Sequence, residues 1–214
     1  MSTSLYLPST SGTPTISPTP STGWDQTGSF DRLKMDTVKA STAMTNKTIN
    51  LAAATSGATH LFRQYIYGPL APVSVATNVA WTLYVRGLEA NSSNNSFPAA
   101  GLWIATSAGA LRGTIFAGGT LGVNSEYGLT LGSRAHHPAS ETNSSISVQS
   151  GDYLVLEVGM IKNSTSTGNH SLSFGDDSAS DLVANNVTTA DNPVLVIATD
   201  FVLFKPGARA YILE

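Results

Sequence analysis

The stretch VAWTLYVRGLEA (Val79–Ala90) places Trp81, Leu83 and Val85 on one alternation and Thr82, Tyr84 and Arg86 on the other. A period of two predicts a half-buried β-strand. Related segments recur along the chain. ATHLFRQYIYGPLA (Ala58–Ala71) reads as a strand ended by Gly68-Pro69. GLWIATSAGALRGTIFAG (Gly101–Gly118) reads as two strands joined by a turn at Ser107–Ala110. NHSLSFG (Asn169–Gly175) is a thin strand and NPVLVIATDFVLFKP (Asn192–Pro206) a long terminal one, with SEYGLTLG (125–132) and SSISVQ (144–149) as shorter candidates. DYLVLEVGMIK (Asp152–Lys162) differs, being apolar on both alternations except at Glu157, as expected of a strand covered on both faces. Phe30, Leu33 and Val38 lie near helical spacing, so Ser29–Asp36 predicts a short helical turn or a strand.

Many short strands with Gly and Asn turns and no β-α alternation predict an all-β fold. The expected architecture is an antiparallel β-sandwich, jelly-roll-like, with a single up-and-down barrel as the alternative. No internal repeat points to a propeller or solenoid. The expected division is an extended N-terminal arm over 1–47 and a β-sandwich domain over 48–214 with a short C-terminal tail.

The arm rests on SLYLPSTSGTPTISPTPSTGWDQ (Ser4–Gln26), which carries Pro8, Pro14, Pro18 and Pro20 and almost no charge. Proline fixes φ, removes an amide donor and pushes the preceding residue toward extended geometry, so an extended path is expected. No Lys or Arg precedes Arg32 and the apolar residues are single, so a secretory signal is not expected. Two readings stay open, a disordered tail and an arm laid on a partner. Leu5, Tyr6, Leu7, Pro8, Ile16, Pro18 and Trp24 are the anchors of the second. At the other end, Pro206-Gly207 breaks the chain before Ala210-Tyr-Ile-Leu. There Tyr211, Ile212 and Leu213 either clip onto a neighbouring subunit or form a last strand.

Composition narrows the chemistry. Charged residues make up 12% of the 214, net charge is −3, and no basic run occurs, so nucleic acid is not an expected partner. No apolar stretch reaches the ~20 residues that span a bilayer, so neither is a membrane. Cysteine is absent, which excludes disulfides and thiolate chemistry.

Candidate catalytic groups do not assemble. There is no G-x-S-x-G elbow and no phosphate-binding glycine loop. His136-His137 would point to opposite faces of a strand and reads as a surface loop. Asp176, Asp177 and Asp181 fall in one loop, where a turn competes with a calcium site. Glu157 is expected to pair with an arginine, from Arg63, Arg86 or Arg112. Trp24, Trp81, Trp103, Tyr84 and Tyr127 could form a sugar platform, although Trp81 and Trp103 sit at core positions of strands. The expectation is a protein that is not an enzyme and holds no cofactor or metal.

YLPSTSGTPTISPTPSTGW (Tyr6–Trp24), LFRQYIYGPL (Leu61–Leu70), ALRGTIFAG (Ala110–Gly118), GDYLVLEVG (Gly151–Gly159) and LSFGDDSASDL (Leu172–Leu182), taken in order, resemble a group of virion structural proteins of tailed bacteriophages. The resemblance implies a β-sandwich particle component of the capsid decoration or cement type. It would be a homo-oligomer, trimer favoured, that binds the major capsid protein or other virion subunits and is assembled in the host cytoplasm. A glycan-binding tail, collar or fibre module is the alternative. The resemblance carries no active-site residues.

Overall fold

The computed structural model describes residues 2–28, 30–51, 56–75, 80–121, 126–136, 145–165, 167–187 and 191–197. In chain order its strands are β1 (Thr3–Tyr6), β2 (Asp31–Lys34), β3 (Thr45–Leu51), β4 (Ala58–Tyr67), β5 (Val73–Val75), β6 (Trp81–Leu88) and β7 (Ser96–Ala105). They continue with β8 (Leu111–Leu121), β9 (Gly132–His136), β10 (Ile146–Val148), β11 (Tyr153–Lys162), β12 (Gly168–Phe174) and β13 (Val194–Ile197). No helix occurs among the described residues.

Two main sheets face each other. The first runs β2-β4-β11-β7-β8, antiparallel throughout except that β2 lies parallel to β4. The second is built around β6. β9 lies along one edge of it, while β13 and β12 share the other edge and extend to β1 and β3 respectively. β5 and β10 make a small separate pair. The single-barrel alternative is not formed.

The alternation read from Val79–Ala90 sets one wall of the core, with Trp81, Leu83 and Val85 buried and facing Leu154, Leu156, Val158 and Met160 of β11 within one apolar cluster. Tyr65 of β4 and Phe174 of β12 meet across the sandwich with ring centroids 5.7 Å apart. β7 and β8 join through a turn in which the Gly109 amide donates to the Thr106 carbonyl at 2.8 Å. Gly109 adopts φ +83° there, a conformation that favours glycine.

Of the two readings of Ser29–Asp36 the strand is formed, at Asp31–Lys34, because its backbone groups pair with Arg63–Ile66. Other expectations change. Of SEYGLTLG only the last glycine, Gly132, lies in a strand, as the first residue of β9. The 47/48 boundary falls inside β3, and the first 47 residues supply β1 to one sheet and β2 to the other. Of the long terminal strand the structure describes β13, and the remainder of that segment lies outside the described residues.

Candidate interaction site

β11 is the middle strand of the five-stranded sheet, and its side chains show why both alternations are apolar. Leu154, Leu156, Val158 and Met160 face the sandwich core. Tyr153 and Val155 point the other way and cluster with Ile66, Trp103 and Ala105. That outer face would meet water in a simple sandwich. Here it is covered by the proline-rich segment, which crosses it as a strap.

The strap is held from end to end. β1 pairs with β13, so Leu5 and Leu7 enter the sandwich core. Tyr65 Oη donates to the Pro8 carbonyl at 2.8 Å, and Arg63 Nη1 donates to the Ser9 carbonyl at 3.0 Å while its guanidinium lies 4.5 Å from the Phe174 ring centroid. Thr15 Oγ1 donates to Tyr153 Oη at 2.8 Å, and Ile16 joins the outer apolar cluster. Arg32 of β2 donates to the Pro18 carbonyl at 2.9 Å. Gln26 finally bridges β4, donating to the Thr59 carbonyl and accepting from the Leu61 amide.

Between Thr13 and Thr19 burial alternates strictly: Pro14, Ile16 and Pro18 are buried, and Thr13, Thr15, Ser17 and Thr19 are exposed. The prolines therefore serve as inward apolar residues of an extended chain laid on the sheet, not merely as breakers of structure.

Glu157 is the polar centre of this seat and is fully buried. Ser21 donates to it from its amide at 2.9 Å and also from its hydroxyl. Trp24 Nε1 donates at 2.7 Å and Gln64 Nε2 at 3.0 Å. A buried carboxylate requires such donors. The expected arginine partner is replaced by these neutral groups because the candidates are engaged elsewhere. Arg63 holds the Pro8–Ser9 backbone, Arg86 donates to the Asp191 carbonyl at 2.6 Å, and Arg112 binds Asp152.

The indole of Trp24 needs a flat floor, and glycine supplies it. A methyl group at Gly159 would sit 2.6 Å from the Trp24 ring, and one at Gly118 would sit 2.5 Å from Ser21 Oγ. Gly101 lies opposite Glu157 in the ladder between β7 and β11. These glycines were not singled out from sequence. The signal that could have found them is their recurrence on neighbouring strands whose other positions are large.

The expected partner-binding residues are thus placed as follows. Leu5, Leu7, Pro8, Ile16 and Pro18 are buried by the chain's own residues. Tyr6 is half-buried, donates to Asp181 at 3.2 Å and carries Lys39 Nζ 4.9 Å from its ring centroid. Trp24 is half-buried in its socket. Tyr211, Ile212 and Leu213 lie outside the described residues, as does His137. His136 is not in a surface loop: it ends β9, is buried, stacks on Phe116 and has Nε2 2.7 Å from the Thr120 carbonyl.

The remaining candidates separate. Asp176 is buried and accepts from the Ala40 amide at 2.6 Å, the Thr42 amide at 2.8 Å and the Thr42 hydroxyl at 2.7 Å, which pins that loop. Asp181 instead pairs with Lys39. No group of three or more metal-ligating side chains occurs among the described residues. Trp81 and Tyr127 belong to the sandwich core and Trp103 to the outer cluster beneath the strap, so the aromatic residues share no open face.

No protein-family model matches the chain, and no curated protein does. Among solved structures, a CocE/NonD family hydrolase from Staphylococcus aureus is similar at 9% identity, with a TM-score of 0.38 over 78% of this chain and 34% of that one. The Gt strain of infectious bursal disease virus is similar at 8% identity and TM-score 0.30, over 74% of this chain and 35% of that one. The VP2 subviral particle of that virus is similar at 12% identity and TM-score 0.28, over 84% and 41%. The chain therefore spans well under half the length of each of these matched chains.

Proposed function

We propose that the protein is a non-enzymatic structural component of a phage particle, a cement or decoration subunit that binds the capsid shell as a homo-oligomer. The observation that carries this reading is where the phage-like stretches fall. Tyr6–Trp24 is the strap, and Leu61–Leu70, Ala110–Gly118 and Gly151–Gly159 lie in or border β4, β8 and β11, the strands that seat it. Leu172–Leu182 contains Asp176 and Asp181, which hold the Ala40–Thr42 loop and Tyr6. The segments that carry the resemblance thus build one unit, a sandwich with its outer face sealed.

Such a body suits a particle component. Its conspicuous carboxylates Glu157 and Asp176 serve as acceptors for its own backbone and side chains, and its polar surface relies on Ser, Thr and Asn. Neutral hydroxyls and amides cross an interface without the desolvation cost of buried ions. A trimer over the major capsid protein is the assembly this reading favours.

The test is occupancy. Purified chain is added to shells lacking it, and bound copies are counted by electron cryomicroscopy while shell melting is followed by calorimetry. Saturable binding with a raised shell melting temperature is expected. Absence of the chain from purified virions by mass spectrometry would overturn the reading.

A further inference from the structure

One end of the sandwich interior is polar. His60 stands opposite Met160 in the ladder between β4 and β11, Lys162 lies two residues beyond Met160, and His170 lies two before Leu172. Met160 and Leu172 belong to the core cluster, so strand alternation turns all three basic side chains inward, where they are buried. β3 and β7 place Ile49 opposite His170 and Ser96 opposite Lys162, neither of which titrates. The Lys162 ammonium donates to the Leu51 carbonyl at 3.4 Å. His60 Nε2 has no hydrogen-bond partner among the described residues. Among those residues the one carboxylate acting on the three is Asp25, on His60, and it already accepts from the Thr59 amide and hydroxyl.

The connection between β6 and β7 closes this end, with Ala90, Ser92, Ser93 and Asn95 exposed and Asn94 buried. Asn94 is the tie. Its Nδ2 lies 3.1 Å from His170 Nε2, and its Oδ1 accepts from Ser164 Oγ at 3.1 Å. Beside it the Asn163 amide donates to the Asn95 carbonyl at 3.3 Å. Gly168 lets the connection lie close, since a methyl group there would overlap the Ala90 side chain. A carbonyl only accepts and an amide NH₂ only donates. His170 Nδ1 is 3.1 Å from the Gly168 carbonyl, so Nδ1 carries the ring proton and Nε2 accepts from Asn94. The closed arrangement fits a neutral imidazole. Turning the Asn94 amide over would offer an acceptor to a second proton, but would leave an imidazolium buried beside Lys162.

We propose that Ala90–Asn95 is an acid-released flap: protonation of His170 breaks its bond to Asn94, and the flap opens the His60, Lys162 and His170 cluster to water. The device belongs to the isolated chain and does not depend on the cement reading. Burial holds the closed His170 imidazole below its ordinary range, the Gly168 bond acts to raise it, and Lys162 lowers it further. The open form takes its proton at the ordinary value of about 6.5, so its share grows as pH falls. Glu89 at the base of the flap works against this. It accepts the Ser96 amide with Glu126 alongside, and burial raises its carboxyl, so acid favours the closed form there. His60, lowered to about 4, stays neutral down to pH 5.

Hydrogen exchange of the full chain, corrected for intrinsic rates, is followed from pH 7.5 to 5. Opening at Ala90–Asn95 should rise up to about thirtyfold, the effect of one proton taken up at an ordinary imidazole, while Leu154–Val158 of β11 changes less than twofold. His170→Gln should flatten the response. Asn94→Asp, which supplies a carboxylate to the charged ring, should keep the flap shut through the same range. Glu89→Gln should leave the response or steepen it. In the native chain, the ¹⁵N resonances of His170 should show the proton on Nδ1 at pH 7.5, a reading that needs no variant. Opening that is independent of pH, a response that survives His170→Gln or Asn94→Asp, its loss in Glu89→Gln, or a His170 proton on Nε2 at pH 7.5 would each overturn the proposal.

Discussion

The two faces of β11 are buried by different means. The core face presents Leu154, Leu156, Val158 and Met160 to an opposing sheet, and its stabilisation comes from removing apolar area from water. The strap face presents Glu157 and Gly159 beside Tyr153 and Val155. It is closed by a segment that makes few backbone bonds and depends on a handful of directed contacts. The first face tolerates changes of shape at a graded cost, whereas the second depends on individual donors and on the absence of side chains. One strand thus combines a general hydrophobic contact with a specific latch.

The largest effect expected from separating them is on the core side. Leu156→Ala should lower unfolding free energy by about 3–4 kcal/mol, as large-to-small substitutions in sealed cores do, read from urea melts. The indole N–H resonance of Trp24 should keep its shift and its slow hydrogen exchange. An equal disturbance of that resonance would show that the faces are not independent. Glu157→Gln should cost somewhat less, about 2–3 kcal/mol, by replacing an all-acceptor group with one that directs its own N–H atoms at Ser21, Trp24 and Gln64. Here the Trp24 indole resonance should move and exchange quickly. Retention of both features in that variant would break the latch description. Trp24→Phe keeps a ring on the glycine floor and deletes a single donor, and about 1 kcal/mol is expected from the same melts.

The core face was legible in the sequence and the latch only partly. Period-two patterns around Trp81 and the doubly apolar Asp152–Lys162 identified the central strands, because burial by a sheet selects side-chain hydrophobicity at every second position. The doubly apolar pattern even required a cover for the outer face, without saying what the cover was. The strap escaped because TPTISPT alternates with proline as its apolar member, and proline reads as a breaker before it reads as a buried ring. The socket escaped because Gly101, Gly118 and Gly159 act by what they lack. Glu157 was recognised as unusual, but its partners lie 93 and more residues away in the chain, and no local pattern reports a donor at that distance. β9 was missed because Gly132-Ser-Arg-Ala-His carries no alternation, its place being set by pairing with β6.

The smallest effect concerns a group on neither face, and it sets the pH at which the comparison should be made. Glu89, in the connection after β6, is buried and accepts the Ser96 amide at 3.1 Å. Burial, with Glu126 alongside, pushes its carboxyl up to about 7 against the Ser96 bond, which acts to lower it. The folded state then holds more protons than the unfolded chain between the ordinary carboxyl range and pH 7. Through that window Glu89 makes stability fall as pH rises. His60 works the other way. Burial, and then Lys162 and His170, lower its imidazole to about 4, so the unfolded chain holds more protons between about 4 and 6.5, and stability rises with pH there. The two slopes oppose each other, and the native protein should show a net change below about 1 kcal/mol per pH unit between pH 5 and 6.5. Glu89→Gln removes the falling contribution and should leave a clear rise in melting temperature from pH 5 to 6.5. His60→Gln should tilt the profile toward a fall, against the remaining opposition of His170, whose imidazole burial also lowers. If Glu89→Gln melts with the same pH profile as the native chain, Glu89 is not the group that offsets His60, and the Glu157 and Leu156 variants would have to be compared across the whole pH range instead of at one value.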